Sequence, residues 1–209
     1  MRKIALIGNP NCGKTTLFNI LTGANQKVGN WPGVTVEKKF GHFPLVDDEI
    51  ELVDLPGIYS LELEHKGVDE EIAFDFIEQG DISLIINIID ATNLERSLVL
   101  TQQLLEKSIP TVVALNMLDV AEQQGMVVSP QKLEGQLNVP IVSLIASRKE
   151  GIAELKATLE SVLAEPTRGI SELQGKSKDK IDDKILQRYH QSRQLVNGVV
   201  EVNPTQHSL

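Results

Sequence analysis

The chain has 209 residues, of which 41% are hydrophobic and 4% aromatic, so it is long enough for one domain with an aliphatic core plus an appendage. Its formal net charge of −9 is uneven, with −11 in residues 1–165 and +2 in residues 166–209. The acidic main part argues against a nucleic-acid partner. A single cysteine, Cys12, excludes an internal disulfide. No apolar run reaches the roughly 18 residues of a membrane span, so we expect this stretch to be soluble.

Strand and helix signals alternate along the first 165 residues, which predicts an α/β fold with a mostly parallel sheet flanked by helices. Lys38–Pro44 and Glu49–Asp54 indicate a hairpin, so we expect the sheet to be mixed at that edge. The other predicted strands cover 4–8, 82–90, 111–116 and 140–144. The predicted helices cover 14–22, 68–79, 94–107, 120–124, 130–137 and 151–163, with a polar loop over 24–36.

The pattern divides the chain into a main α/β domain over residues 1–165 and an appendage over residues 166–209. Residues 166–175 have the composition of a linker, and residues 179–197 have helical spacing with high polarity. Residues 203–209 show no pattern. We therefore expect a short C-terminal helical segment beside the main domain.

The segment Gly8-Asn-Pro-Asn-Cys-Gly-Lys-Thr15 follows the first predicted strand and opens into the first predicted helix. This is the spacing of a P-loop in the strand–loop–helix context that the motif requires. Its backbone N–H groups can point at phosphate oxygens, Lys14 can reach the β- and γ-phosphates, and the Thr15 hydroxyl can bind Mg²⁺. The predicted phosphate-binding residues are Gly8, Asn9, Pro10, Asn11, Cys12, Gly13, Lys14, Thr15 and Thr16.

Two further segments are predicted to respond to the γ-phosphate; we name residues 26–37 switch I and residues 56–71 switch II. Asp54 ends a predicted strand, where its carboxylate can hold Mg²⁺ through water, and the Gly57 N–H can sense the γ-phosphate. In switch I, Thr35 can close over the γ-phosphate and bind Mg²⁺, although a β-branched residue can also simply begin a strand. The expected contact residues are Gly33, Val34, Thr35, Asp54, Leu55, Pro56 and Gly57.

Asn116-Met-Leu-Asp119 follows a buried predicted strand and is similar to the guanine-reading pattern Asn-Lys-x-Asp. The Asp119 carboxylate can accept from the guanine N1–H and 2-amino groups, which adenine does not present in that arrangement. Met117 replaces a lysine whose stem packs along the base. A strand-end asparagine and a helix-capping aspartate would explain the same residues without a base. With Ala146-Ser147, which resembles the loop that contacts guanine O6, these segments predict a P-loop GTPase (G domain) that binds GTP or GDP rather than ATP.

Five stretches carry a more specific likeness: residues 8–19, 28–37, 54–61, 90–96 and 114–119. Together they resemble the cytosolic N-terminal region of the bacterial ferrous-iron transporter family FeoB, over residues 1 to about 165. Gly-Asn-Trp-Pro-Gly-Val-Thr-Val-Glu and Asn-Met-Leu-Asp are not general GTPase features. The resemblance implies a G domain, a helical domain of several helices and then a polytopic membrane region, with a GTP cycle required for Fe²⁺ uptake. Here one helix is expected after Pro166, and residues 199–209 resemble the segment before the first span.

The resemblance also implies a place and partners. The place is the cytoplasmic face of the bacterial inner membrane. The partners are the membrane-spanning part of the same polypeptide, small accessory iron-transport proteins and further copies in an oligomer. The predicted function is therefore GTP hydrolysis that drives or gates ferrous iron uptake through rearrangement of both switches. The alternative is a regulatory or assembly GTPase whose nucleotide state selects a protein or ribosomal partner.

The resemblance gives Asn11 a second role, because potassium-activated GTPases have an asparagine here that helps to coordinate K⁺ beside the β- and γ-phosphates. Backbone carbonyls of Gly29 and Trp31 would complete this site, and K⁺ would neutralise developing charge as an arginine finger does elsewhere. Ile58 stands where Ras-like GTPases have a water-positioning glutamine, so we expect slow hydrolysis that K⁺ stimulates. Asn11 can instead be a turn former only.

Overall fold

The computed structural model describes residues 1–61, 67–79, 81–165 and 181–202. The strands are β1 (Arg2–Gly8), β2 (Gln26–Asn30), β3 (Glu37–Pro44), β4 (Glu49–Asp54), β5 (Leu84–Asp90), β6 (Thr111–Asn116), β7 (Met126–Val128), β8 (Ile141–Ser143) and β9 (Val200–Val202). The helices are α1 (Lys14–Thr22), α2 (Val68–Glu78), α3 (Leu94–Leu105), α4 (Leu118–Gln123), α5 (Pro130–Leu137), α6 (Ile152–Ala164) and α7 (Ile181–Val199). Within these ranges, no helix combines the length and the apolar character needed to cross a membrane.

Seven strands form one sheet in the order β2-β3-β4-β1-β5-β6-β8. Five neighbouring strands of this sheet are parallel, namely β4, β1, β5, β6 and β8. Strands β2 and β3 are antiparallel to their neighbours. The predicted mixed, mostly parallel sheet is therefore confirmed. Because the carboxyl ends of parallel strands meet at one edge, the residues that end β1, β4, β5 and β6 lie along the same edge: Gly8, Asp54, Asp90 and Asn116.

Helices cover both faces of this sheet. The central strands β5 and β6 are near-continuous apolar runs, as expected for strands buried on both sides. Successive residues of β1 point to opposite faces, so Leu6 belongs to one apolar cluster and Ile7 to the other. Helices α1 and α6 complete the first cluster through Leu17, Phe18, Leu155 and Leu159. Helices α2 and α3 complete the second through Ala73, Ile77, Leu100 and Leu104.

The C-terminal segment packs back onto the main domain. Helix α7 lies against α3 and α5, and it buries Ser192 and Val199. Strand β9 then pairs antiparallel with β7, so that Val200 is opposite Val128. The predicted C-terminal helix is thus present as α7, and its end is tied to the chain that follows α4.

Three strands differ from the sequence prediction. The predicted loop over 24–36 is wrong for Gln26–Asn30, because these mostly exposed residues form β2 through backbone pairing with β3 rather than through an apolar pattern. Strands β7 and β9 have three residues each, too few to show an alternation, and each exists because of the other. Helix α4 begins at Leu118 rather than residue 120. The predicted linker over 166–175, residues 179 and 180, and the tail 203–209 lie outside the described residues.

Candidate nucleotide-binding site

The loop between β1 and α1 packs closely against the strands beside it. A Cβ atom on Gly8 would lie 2.5 Å from the backbone oxygen of Ile88 in β5. Gly13 has φ of +94°, and a Cβ atom there would lie 2.3 Å from Nδ2 of Asn116. Both positions therefore require glycine, because neither has space for a Cβ atom. At Gly13 the positive φ is a second reason, since other residues rarely adopt it.

Asn116, the last residue of β6, connects three of the predicted segments. Its buried side chain donates from Nδ2 to the backbone oxygen of Cys12 over 3.1 Å. Its Oδ1 accepts from the backbone N–H of Ala146 over 3.0 Å. The two ends of one amide thus fix the P-loop relative to the Ala146-Ser147 loop, so the predicted phosphate and base segments meet at this residue.

Lys14 and Asp54 form an ion pair at the same edge. The Lys14 ammonium donates to Oδ1 of Asp54, and the two side chains are only 12% and 9% exposed. Burial raises the pKa of the Asp54 carboxyl, while the charge and hydrogen bond of Lys14 act in the opposite direction. A ligand that draws Lys14 away would leave a buried carboxylate in need of another cation.

Asp119 lies in the first turn of α4, beside the loop that Asn116 holds. Its carboxylate is 3.6 Å from Nη2 of Arg148, and its side chain is 19% exposed. Met117 has φ of +64° and begins α4 from a left-handed conformation, which turns the chain sharply after β6. Ala146 is buried and Ser147 is exposed. The structure therefore brings all the predicted base-binding residues to one end of the sheet.

Switch I is held at the far edge of the sheet. Its first part is β2, which two strands separate from β1, or about 14 Å at roughly 4.8 Å per strand. The N–H of Trp31 donates to the oxygen of Val36 over 2.9 Å, and the oxygen of Trp31 accepts from the N–H of Val34 over 3.3 Å. Gly29 belongs to this edge strand, and Trp31 directly follows its last residue. Thr35 is exposed in the turn between β2 and β3.

The Trp31 side chain fixes this position. The ring is 6% exposed and meets Phe76 of α2 edge to face, with centroids 5.5 Å apart. The Lys38 ammonium lies 4.8 Å from the ring centroid. The buried Nε1 of Trp31 has no hydrogen-bond partner within the described part of the chain. Gly33 has φ of +76°, and Val34 packs against the same apolar cluster.

Leu55, which follows β4, and the first residues of switch II lie against β1 and the P-loop. The N–H of Leu55 donates to the oxygen of Leu6 over 3.0 Å, and the N–H of Ile58 donates to the oxygen of Gly8 over 3.1 Å. A Cβ atom on Gly57 would lie 3.2 Å from Cα of Pro10. The Ile58 side chain is fully buried in the apolar cluster that contains Trp31. This buried apolar side chain therefore offers no polar group that could orient a water molecule.

The P-loop side chains fit a bound polar ligand. Oδ1 of Asn9 is buried and lacks a hydrogen-bond partner among the residues that the structure describes. The Cys12 thiol is buried, which raises its pKa to about 11, so the residue contributes its backbone and not a thiolate. Asn11 has φ of +63°, which shows that it does form a turn; Asn11 is exposed, as are Pro10, Thr15 and Thr16.

The donor set fits Mg²⁺ bound together with phosphates rather than a metal cage of protein ligands. No group of three or more His, Cys, Asp or Glu side chains that could hold a metal occurs in the described ranges. The Thr15 hydroxyl and the Asp54 carboxylate lie at the P-loop edge, which suits an ion that keeps waters and takes phosphate oxygens as further ligands.

Sequence reasoning missed several residues that support this site. Asp90 ends β5 and accepts from the N–H and the hydroxyl of Thr92 over 2.8 and 2.6 Å. Arg148 approaches Asp119. Gln103 of α3 contacts switch II. The only sequence signal for Gln103 is a polar residue in register with the apolar face of Leu100 and Leu104.

Among P-loop proteins, a G domain is the class that needs Asn116 and Asp119 beside the phosphate loop, and the fold and the site together define that class. The family model described as Ferrous iron transport protein B (FeoB_N) matches residues 2–159. This chain belongs to that family.

The curated relatives are much longer than this chain. The Fe(2+) transporter FeoB of Shigella flexneri is 54% identical over 159 residues, which are 75% of this chain and 21% of that protein. The Fe(2+) transporter FeoB of Escherichia coli (strain K12) is 53% identical over the same length and shares. The match thus spans about a fifth of the length of these relatives (21%).

Solved structures of the family have the same fold. The cytosolic domain of L. pneumophila FeoB gives a TM-score of 0.83 at 39% identity, covering 95% of this chain and 99% of that one. The T. maritima cytosolic domain in its GMPPNP form gives 0.84 at 29% identity, covering 96% and 100%. A mutant of S. thermophilus NFeoB bound to GDP gives 0.69 at 48% identity, covering 76% and 60%.

Proposed function

We propose that residues 1–165 form a G domain that binds GTP and hydrolyses it to GDP and phosphate, and that residues 166–209 form an appendage to it. The observation that carries the proposal is the pair of hydrogen bonds in which the Asn116 side chain donates to the Cys12 carbonyl and accepts from the Ala146 N–H. They join a phosphate-binding loop to a base-reading segment, an arrangement that phosphate binding alone does not require. GDP and GMPPNP in the solved relatives support the same assignment.

The phosphates bind in the P-loop. The backbone N–H groups between Gly8 and Thr16 surround them, with the exception of Pro10, which has none. Lys14 exchanges its carboxylate partner Asp54 for the β- and γ-phosphates. Thr15 and Asp54 would hold Mg²⁺, and the ion would supply positive charge against the phosphate oxygens.

Hydrolysis uses both switches. Gly33, Val34 and Thr35 of switch I move to the γ-phosphate, where the Thr35 hydroxyl completes the Mg²⁺ site. Leu55, Pro56 and Gly57 position the γ-phosphate from the other side. Water attacks in line, and the bond from the γ-phosphorus to the bridging oxygen breaks.

Basal turnover is slow, because the buried Ile58 cannot orient the water. A K⁺ ion held by Asn11 with the carbonyls of Gly29 and Trp31 supplies further positive charge when bound. Switch I must leave the sheet edge for this site to form.

The base is read by hydrogen-bond pattern. Asp119 accepts from guanine N1–H and the 2-amino group after giving up its 3.6 Å contact with Arg148. Met117 packs along the base, and the backbone of Ala146 and Ser147 lies at guanine O6. Adenine would leave the Asp119 carboxylate without donors, which a half-buried site rejects.

For the whole polypeptide, we propose that the nucleotide state of the switches controls ferrous iron uptake across the bacterial inner membrane, with this chain on the cytoplasmic side. The names of the longer relatives support this role. The partner of the switches is then the membrane part of the same polypeptide, together with small accessory iron-transport proteins and further copies of the chain. Nucleic acid is not a partner.

The test is a change of base specificity. Asp119→Asn replaces two acceptor oxygens with an oxygen and an NH₂ group, so it mismatches guanine and matches xanthine, which has an oxygen in place of the 2-amino group. We expect GDP and GTP affinity to fall by about 100-fold and xanthine nucleotide affinity to rise, because hydrogen bonds to a charged group are lost. Titration calorimetry with GDP, XDP and ADP measures this.

Arg148→Ala is the matched control, since it frees the Asp119 carboxylate without changing its acceptors. It should retain the preference for guanine. Equal affinity of the wild type for GDP and ADP would overturn the proposal. In the full-length protein, Asp119→Asn should also lower ⁵⁵Fe²⁺ uptake by cells.

A further inference from the structure

Gln103 is a polar side chain in an apolar position. Leu100 and Leu104, three residues before it and one after, belong to the cluster that buries α3 against the sheet. Gln103 itself is only 4% exposed. A buried amide must find hydrogen-bond partners or destabilise the fold.

Both ends of the Gln103 amide bind switch II. Its Oε1 accepts from the backbone N–H of Leu61 over 2.6 Å, and its Nε2 donates to the Ser60 hydroxyl over 2.8 Å. Leu61 is itself buried. These contacts lie three and four residues beyond Gly57, which packs against Pro10 of the P-loop.

A second residue of α3 contacts the same stretch. The Arg96 guanidinium lies over the Tyr59 ring, 3.6 Å from its centroid. Arg96 and Gln103 are seven residues apart, or two turns, so they project from the same side of the helix. Helix α3 therefore holds three consecutive residues of switch II from two points.

Helix α3 is in turn fixed to the strand that carries the P-loop. The Thr101 hydroxyl donates to Oδ1 of the buried Asn87 in β5 over 2.6 Å. Nδ2 of Asn87 donates to the backbone oxygen of Ile7 in β1 over 3.3 Å. Ile7 is next to Gly8, so the position of Gln103 is set relative to the phosphate loop by buried hydrogen bonds.

A different face of α3 contacts α7. Arg188 donates to both carboxylate oxygens of Glu106 over 3.0 and 3.1 Å. Arg193 pairs with Glu95 over 3.1 Å, and Nε2 of Gln102 donates to the Ser192 hydroxyl over 3.2 Å. Two adjacent glutamines, 102 and 103, thus face the C-terminal helix and switch II respectively.

We propose that Gln103 is a positioning residue of switch II: by holding Ser60 and Leu61, it keeps Gly57 beside the P-loop in the place from which its N–H meets the γ-phosphate. Among the described residues, the hydrogen bonds of the Gln103 side chain go to Leu61 and Ser60, so Gln103 acts through Gly57. The expected effect of Gln103 on the affinity for GMPPNP relative to GDP rests on the proposed GTP site. The positioning itself does not depend on any ligand.

The experiment compares Gln103→Met with Gln102→Met. Methionine keeps the length and volume of the side chain and removes the amide, so both variants should fold. Hydrogen exchange at the Leu61 amide is measured without nucleotide. The affinities for GMPPNP and GDP in Mg²⁺ are then measured by calorimetry. GDP lacks the γ-phosphate, so its affinity serves as the internal reference.

We expect Gln103→Met to accelerate exchange at Leu61 and to lower the ratio of GMPPNP to GDP affinity by about three- to tenfold, the range of one or two ordinary hydrogen bonds. Gln102→Met should leave both readouts at the wild-type level. An unchanged or raised ratio in Gln103→Met overturns the proposal, as does unchanged exchange at Leu61. A wild-type protein that binds neither nucleotide overturns the proposed GTP site instead, and the exchange measurement still judges the positioning.

Discussion

Gly13 and Asn116 each determine which residue the other position can hold. Gly13 must be glycine because Nδ2 of Asn116 occupies the space where a Cβ atom would lie, 2.3 Å away. Asn116 in turn can reach the Cys12 backbone only because Gly13 leaves that space open. The P-loop and the segment that begins at Asn116 therefore fit together through the contact of Gly13 with Asn116. A larger residue at position 13 or 116 would push the two segments apart.

Asn11 offers a prediction at this scale, because its φ of +63° gives it a backbone role whether or not its side chain binds K⁺. Asn11→Ala would remove the side-chain amide and also strain the backbone, because alanine disfavours a positive φ. Asn11→Gly removes the amide and tolerates the left-handed conformation. We expect the wild type to hydrolyse GTP faster in KCl than in NaCl by tenfold or more, and Asn11→Gly to lose that difference. The reason is that a positive charge at this place acts as an arginine finger does, and an arginine finger raises kcat by a factor of about 10³–10⁵.

Phosphate release is measured at equal ionic strength in the two salts. Equal rates in KCl and NaCl for the wild type would contradict the role of K⁺. If Asn11→Gly kept the stimulation, the asparagine would be a turn former only.

Switch I is anchored at the edge of the sheet. Its strand β2 pairs with β3 at the sheet edge, and Trp31 anchors it against Phe76. Thr35, four residues after Trp31, is exposed in the turn between β2 and β3. We expect movement of Thr35 to the γ-phosphate to displace the neighbouring chain around Trp31. This displacement would expose apolar surface of Trp31, and contacts with the nucleotide must offset the lost burial.

Trp31 is the only tryptophan of the chain, so its fluorescence reports this movement directly. The 6% exposed ring should emit like a buried indole in the free protein. We expect a red shift with GMPPNP and Mg²⁺ and little change with GDP, because only the γ-phosphate recruits Thr35.

Thr35→Ala is the matched variant, since it removes the hydroxyl and leaves Trp31 in place. It should bind GMPPNP without the red shift. A wild-type spectrum identical with GDP and GMPPNP would mean that switch I stays at the sheet edge.

On the scale of the whole molecule, the C-terminal segment is part of the fold rather than a free tail. Helix α7 pairs with α3 through Arg188 and Arg193, and β9 extends the contact to β7. Helix α7 thus covers part of the main domain. Strand β7 follows α4, whose first turn carries Asp119, so the end of the described chain is tied close to the base-reading segment.

A pair of truncations tests this attachment. A chain that ends at Val199 loses β9, while one that ends at Val202 keeps it. We expect the shorter chain to be less stable by about 1–3 kcal/mol from lost strand pairing, which lowers Tm by about 2–4 °C per kcal/mol at this size.

Thermal unfolding followed by circular dichroism measures the difference. Both truncated chains are measured beside the full chain. Equal Tm values for the two truncations would show that β9 adds nothing to stability.

The sequence by itself determined the class of fold and most of the predicted site. Alternating helix and strand signals predicted the mixed sheet, and the P-loop, Asp54, Asn116 and Asp119 follow strands whose carboxyl ends must share an edge. These features could be predicted because a short motif contains its own spacing, and parallel topology then brings the motifs together without further information.

Only the tertiary structure decided the features that need a partner far along the chain. Strand β2 has no apolar pattern and exists through its pairing with β3. Strands β7 and β9, the ion pair of Lys14 with Asp54, and the contact of Gln103 with Leu61 join residues separated by 40 positions or more. A backbone or side-chain hydrogen bond leaves no mark on local composition, because its stability comes from a partner that folding alone brings near.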